Sequence, residues 1–292
     1  MNATLLDFHP PDLSARDLIE RALEPHILLG MPHLTPYGLS ETWLMKELGH
    51  RHWLMLARQL GMENADFRTA DGKEAYAAIC ASSLSEAQFE TVRANDILTI
   101  RSMLTPISRT QVSTHHRLSV RGMAICEAEL ISTFVCRTRE ADNHSIARVP
   151  LPGPPLAGFK SNVLAQTAAM LRSGTLDTYF GLDLNDGKAL RSFRFRPDPS
   201  QEFNGAGLFY FAEFQALASR AFDGWFPDRR PVIRRREVFF SGNIRPGEPL
   251  CIELTHCGAE AAGMHCHIKR DDGKIIGHVF TEPVACDMRH LD

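Results

Sequence analysis

Two apolar stretches dominate the pattern of the chain. The first, SETWLMKELGHRHWLMLARQLG at residues 40 to 61, repeats apolar side chains at three- and four-residue spacing and predicts an amphipathic helix. The second, FYFAEFQALASRAF at residues 209 to 222, is apolar nearly all round over about four turns, so its helix has to be enclosed. A glycine turn precedes each: Tyr37-Gly38-Leu39 in one case, Asn204-Gly205-Ala206-Gly207 in the other.

After each helix comes a polar connection and then an extended run with β-type alternation, NDILTIRSML from Asn95 and GEPLCIELTH from Gly247. Each half then closes with a further strand pair. These are RLSVRGMAICEAELISTFVC and MHCHIKRDDGKIIGHVFTEPVAC, the latter turning on Asp-Asp-Gly. The same order of elements thus occurs twice, which is the signature of a duplicated domain. Between the copies lies ARVPLPGPPLAGF, with four prolines and two glycines in thirteen positions, which can sustain neither a helix nor a central strand. The expected organisation is an N-terminal repeat at 1–147, a linker at 148–159 and a C-terminal repeat at 160–292. One enclosed helix with several antiparallel strands per repeat is an α+β pattern. A sheet curled about the helix is the simplest enclosure, which is the hotdog fold, and two copies make a double hotdog.

The 292-residue length suits two domains, and the composition, 44% hydrophobic and 23% charged with net charge -3, is that of an ordinary globular chain. No basic excess marks a nucleic-acid binder. No apolar run reaches the roughly 18 residues of a membrane span, and MNATLLDFHPPDL lacks the basic head and apolar body of a signal peptide, so a cytoplasmic location is expected. Seven scattered cysteines with no CxxC pair argue against a disulfide framework or a zinc site. His265 with His267, and His115 with His116, lack a carboxylate or cysteine at ligand spacing, and no metal is expected.

The segments GMPHLTPYGLSETWLMKELGHRHW (30 to 53) and FNGAGLFYFAEFQ (203 to 215) resemble the double-hotdog biosynthetic proteins typified by the bifunctional acyltransferase/decarboxylase of leinamycin biosynthesis, a polyketide pathway. The likeness of pattern extends over nearly the whole chain and is specific in these two segments. The resemblance implies an acyl thioester substrate on coenzyme A or on the phosphopantetheine arm of an acyl carrier protein, and no cofactor. The implied reaction transfers the acyl group of methylmalonyl-CoA to a carrier protein and removes its carboxylate. The catalytic tyrosine of that family corresponds in position to Tyr37.

Read for such chemistry, Asn204 is a candidate N-cap, and the amides of Asn204-Gly205-Ala206-Gly207 are a candidate oxyanion hole, since helix starts leave N–H groups free. The alternative is that Asn204 and its glycines only shape a tight turn. Tyr37 suits a hydrogen-bond donor or acid better than a nucleophile, because a phenol ionises near pH 10. His33, Thr35, Gly38, Ser40, Gly205, Gly207 and Tyr210 are candidate substrate contacts, with both turns expected to line one pocket. In RRPVIRRR, Arg234, Arg235 and Arg236 are candidates for the phosphates of coenzyme A or of the carrier arm. Ala206 stands where many hotdog thioesterases carry a histidine, and Phe209 and Tyr210 where dehydratases carry their polar pair, which disfavours hydrolysis and dehydration. A thioesterase, a dehydratase and a non-catalytic carrier-binding protein remain the alternatives. Two repeats in one chain are compatible with a monomer or a homodimer.

Overall fold

The computed structural model describes residues 13–150, 158–185, 187–227, 231–258 and 263–284. The four helices labelled here are α1 (Ala15–Ala22), α2 (Glu41–Gln59), α3 (Val163–Ser173) and α4 (Phe211–Trp225). Eleven strands share one sheet: β1 (His26–Leu28), β2 (Tyr76–Ser85), β3 (Ile97–Pro106), β4 (Gln111–Val120), β5 (Met123–Arg137), β6 (Ile146–Arg148), β7 (Arg191–Phe195), β8 (Ile233–Phe240), β9 (Leu250–Cys257), β10 (Met264–Arg270) and β11 (Ile275–Pro283). Most of the proposed linker, residues 151–157, lies outside the described residues.

The strand order β1-β3-β4-β5-β2-β8-β11-β10-β9-β7, with β6 against β5, shows the duplication directly. Outward from the middle, the first half runs β2, β5, β4, β3 and the second runs β8, β11, β10, β9, so each strand has a counterpart in the other half. The halves meet where β2 and β8 pair antiparallel, Leu84 opposite Arg236 and Ala81 opposite Phe239. The alternating runs at Asn95 and Gly247 become the matched strands β3 and β9.

Each helix lies in the curl of its own half. Leu44, Met45 and Leu48 of α2 pack with Leu98, Leu118 and Leu130 from the sheet. Phe214, Leu217 and Phe222 of α4 pack with Ile252, Ile268 and Val279. Ten of the fifteen residues of α4 are buried, as its all-round apolar character requires. Each large side chain so buried stabilises the fold by about 1.5–3 kcal/mol. The helices also touch one another. Phe211 stacks so tightly on Gly49 that a Cβ there would stand 2.5 Å from its ring. Lys46 of α2 meets the buried Glu213 of α4 at 2.6 Å. The outer face of β2, β8 and β11 is covered by α3, with Leu164 and Ala168 against Phe239 and Phe280.

Candidate functional site

Both helix starts are built on the same scheme. The N-cap residues are Ser40 and Tyr210, and the backbone N–H of each donates across a tight turn, Ser40 to His33 O and Tyr210 to Glu202 O, both at 2.9 Å. Ser40 caps α2 by accepting from Trp43 N at 3.2 Å. Gly38 lies at φ 106°, with its backbone pressed so closely on Phe89 that a Cβ would stand 1.9 Å from the Phe89 carbonyl oxygen. That position tolerates only glycine.

The second turn corrects the sequence-based reading of Asn204. It is not the N-cap of α4, which begins at Phe211. Its carboxamide oxygen accepts from Ala206 N at 3.1 Å and Leu208 N at 3.0 Å, and its carbonyl accepts from Gly207 N at 2.8 Å. The amides of Asn204, Ala206 and Gly207 are therefore spent inside the turn and cannot serve as oxyanion donors. The unspent donors come later, because Phe211 and Ala212 open the helix and have no carbonyl a turn earlier within it.

A cavity of about 960 Å³ opens beside this helix start. Its walls are Gly49, His50 and Trp53 of α2, the N-terminal half of β2, the turn Asn204–Ala206, Leu208 to Phe211, and Phe240 at the end of β8 with Ser241 to Asn243 after it. The volume is in the upper range for small-molecule sites.

A polar network holds the turn against this wall. Asn143, only 3% exposed, donates to Gly207 O at 2.7 Å and Ile244 O at 2.6 Å. Arg137 donates to Asn143 Oδ1 at 2.9 and 2.8 Å, to the Tyr76 hydroxyl at 2.9 Å, and to Ala206 O. Asn243 exchanges two 3.0 Å bonds with the Phe209 backbone. Beside Asn143, the His144 ring shares a 2.7 Å hydrogen bond with Glu248, and both side chains are more than four-fifths buried. A carboxylate-oriented imidazole at a cavity wall has the composition of a general base.

The remaining polar groups of the wall are less reactive. Tyr210 is pushed up to about 12 by burial and by the charges of Glu47 and Glu213, so it stays a neutral phenol, with its hydroxyl directed at Lys46 O at 3.5 Å. Burial also raises the Cys80 thiol, which argues against a thiolate nucleophile. Arg148 of β6 and Arg172 of α3 are exposed at the cavity edge, and both act electrostatically on Cys80.

Of the residues expected from sequence, Asn204, Gly205 and Tyr210 line this cavity; His33, Thr35, Tyr37, Gly38, Ser40 and Gly207 do not. The two turns thus do not share it. Tyr37 is 61% exposed at the tip of the Leu34–Leu39 hairpin, where Thr35 Oγ1 accepts from Tyr37 N at 3.2 Å. His33 accepts from Gly30 N at 2.7 Å and packs on Trp43.

The arginine cluster is dispersed rather than assembled for phosphate. Arg236 is 2% exposed and gives Glu41 two bonds of 2.9 and 2.7 Å. Arg235 turns to Glu237 and lies over the Phe180 ring, and Arg234 leans toward Glu282 at 3.7 Å. Successive strand residues point to opposite faces, which is why the three cannot converge on one ligand.

No family model matches the chain, and no curated protein does. Solved structures do. An acyl-ACP thioesterase from Bacteroides thetaiotaomicron superposes with a TM-score of 0.59 at 10% identity, over 88% of this chain and 95% of the other. A 12:0-ACP thioesterase from Umbellularia californica gives 0.60 at 10% identity, over 89% and 96%. The chain is a double hotdog. At this identity the likeness establishes the fold alone.

In the double hotdog, the wall residues His144, Asn143 and Arg148 come from the loop after β5 and the strand it leads to, where no sequence pattern marked them. Among the described residues, no helix is long and apolar enough to cross a membrane.

Proposed function

We propose that the protein hydrolyses acyl thioesters carried on coenzyme A or an acyl carrier protein, with the thioester held in the cavity at the start of α4. The observation that carries this reading is His144, held by Glu248, on the lining of the same cavity as a clamped turn and the start of α4. Thioesterases of the same fold, named above, support it. In this mechanism His144 takes a proton from water, and the water oxygen attacks the thioester carbonyl. The carbonyl oxygen gathers negative charge facing the first amides of α4, where backbone donors and the helix dipole stabilise it. Collapse of the tetrahedral intermediate breaks the C–S bond, and the thiolate takes the proton from His144. Arg148 and Arg172 would meet the phosphates of the carrier arm at the cavity edge.

The test is incubation with acyl-CoA and acyl carrier protein substrates, following products by mass. Free acid and free thiol are expected, and His144→Ala should lower kcat by about 10²–10⁴-fold. Absence of free acid would refute hydrolysis.

A second reading, acyl transfer with decarboxylation at the start of α2, has its own observation. Arg236 Nη2 and both carboxamide atoms of Gln215 are buried without hydrogen-bond partners close to Glu41, the first residue of the helix that follows the hairpin carrying Tyr37. A propionyl carrier product from methylmalonyl-CoA, lost in Tyr37→Phe, would establish this reading in place of hydrolysis.

A further inference from the structure

The sequence places His265 and His267 two residues apart on β10, and the fold adds a third imidazole that their spacing could not reveal. His278 of β11 stands directly opposite His267 in the ladder. One ring nitrogen from each of His265, His267 and His278 lies within 4.8 Å of the other two. His265 Nε2 and His278 Nδ1 are 3.2 Å apart. Two ligands on one tetrahedral zinc with Zn–N of about 2.0–2.1 Å stand roughly 3.3 Å apart, so this pair already has the required separation.

The surroundings resemble the support of a metal site. Thr255 Oγ1 lies 3.3 Å from His265 Nδ1 and donates its own proton to His265 O at 3.1 Å. It therefore has lone pairs to accept the Nδ1 proton of His265. That arrangement, in which Thr255 Oγ1 also lies 3.0 Å from His256 Nδ1, suits the tautomer whose Nε2 lone pair faces His278, as outer partners do for ligating histidines. His256 stacks beside His265, with its Nε2 buried and without a hydrogen-bond partner. Glu253, the cross-strand neighbour of His267, places a carboxylate beside the cluster and is shared with Lys269 at 2.6 Å.

The cluster is distinct from the cavity at α4. Met264, Cys266 and Ile268 of β10 point into the core around that helix, so His265 and His267 alternate to the other face of the sheet. There Phe180 packs on Phe280, onto which His265 stacks, and Gly187 lies against the His256 ring.

We propose that His265, His267 and His278 form a site for a first-row divalent transition metal, with zinc as the reference ion for its tetrahedral nitrogen geometry and a fourth position left for water. Three nitrogen ligands suit zinc, nickel or copper and do not suit magnesium or calcium, which take oxygen. Such a metal would tie β10 to β11 on the face away from the thioester cavity.

The test uses the full chain freed of metal by chelator and titrated with Zn²⁺ by calorimetry. Co²⁺ is used as a spectroscopic substitute. One equivalent of Zn²⁺ should bind saturably, and Co²⁺ should give the intense visible bands of a four-coordinate nitrogen site. His267→Ala and His278→Ala should each weaken binding by at least about 100-fold. Absence of saturable Zn²⁺ binding to the wild-type chain overturns the proposal whether or not the variants fold. So does unchanged affinity in both variants.

Discussion

Arg236 and Glu41 tie the two repeats together, and the cost of cutting the tie follows from their burial. The guanidinium is 2% exposed and Glu41 17%. Around Arg236, Glu41 provides two bonds, Ser219 Oγ one at 3.2 Å, Thr281 Oγ1 one at 3.3 Å and Gln215 O a long one at 3.4 Å. Of these acceptors only Glu41 carries charge. Glu41→Ala would therefore leave a buried cation with neutral partners, a loss of about 3–5 kcal/mol. Replacing both residues with apolar ones of similar volume, Glu41→Leu with Arg236→Met, removes the stranded charge and should recover most of that loss. Urea unfolding followed by tryptophan fluorescence reads both. A single-variant loss below about 1 kcal/mol, or a double variant less stable than the single, would refute the assignment of Arg236 as a buried structural cation.

Three further outcomes are expected. Gly38→Ala should destabilise by at least about 3 kcal/mol in the same unfolding assay, since it combines a left-handed backbone with a clash on Phe89 O; a wild-type midpoint would contradict the turn geometry. Burial lowers His52 to about 4 and His116 to about 3 from 6.5. Below pH 6.5 the unfolded chain takes up protons that the folded chain does not. Stability therefore falls with pH by roughly 1.4 kcal/mol per unit per group until the folded values are reached, or about 4 kcal/mol for the two at pH 5. Urea midpoints unchanged between pH 7.5 and pH 5 would contradict this. Arg148→Ala with Arg172→Ala should raise KM for acyl-CoA by about tenfold or more with little change in kcat, whereas Arg234→Ala should leave KM unaltered. Equal effects from both changes would remove Arg148 and Arg172 from substrate binding.

The apolar periodicities located α2 and α4, and the extended apolar runs located β3, β4, β5, β9, β10 and β11, because those elements carry the buried apolar side chains of the two cores. The two middle strands were obscure for physical reasons. The β2 sequence YAAICASSLS is small and weakly polar, without alternation, because it is covered on both sides. In β8 the run IRRREVFF reads as a charged surface, and Arg236 becomes internal only when Glu41 arrives from the other repeat. The glycines at 205 and 207 suggested a helix start, yet the Asn204 side chain takes the amides of Ala206 and Leu208 and Phe209 pairs with Phe203 as an extended bridge. The helix is thereby delayed to Phe211. His144 and Glu248, 104 residues apart, share no local pattern and meet only through the loop that Asn143 pins.

Gly205 offers the most direct test of the cavity as the seat of thioester chemistry. It lines the cavity at a backbone conformation that other residues adopt, and a Cβ there would meet nothing within 4 Å. Gly205→Phe should thus add a ring at the cavity lining from an unstrained position. The account predicts that kcat/KM for acyl-thioester hydrolysis by this variant falls at least about 100-fold while the urea midpoint stays at the wild-type value. Wild-type kcat/KM in a correctly folded Gly205→Phe protein would contradict it.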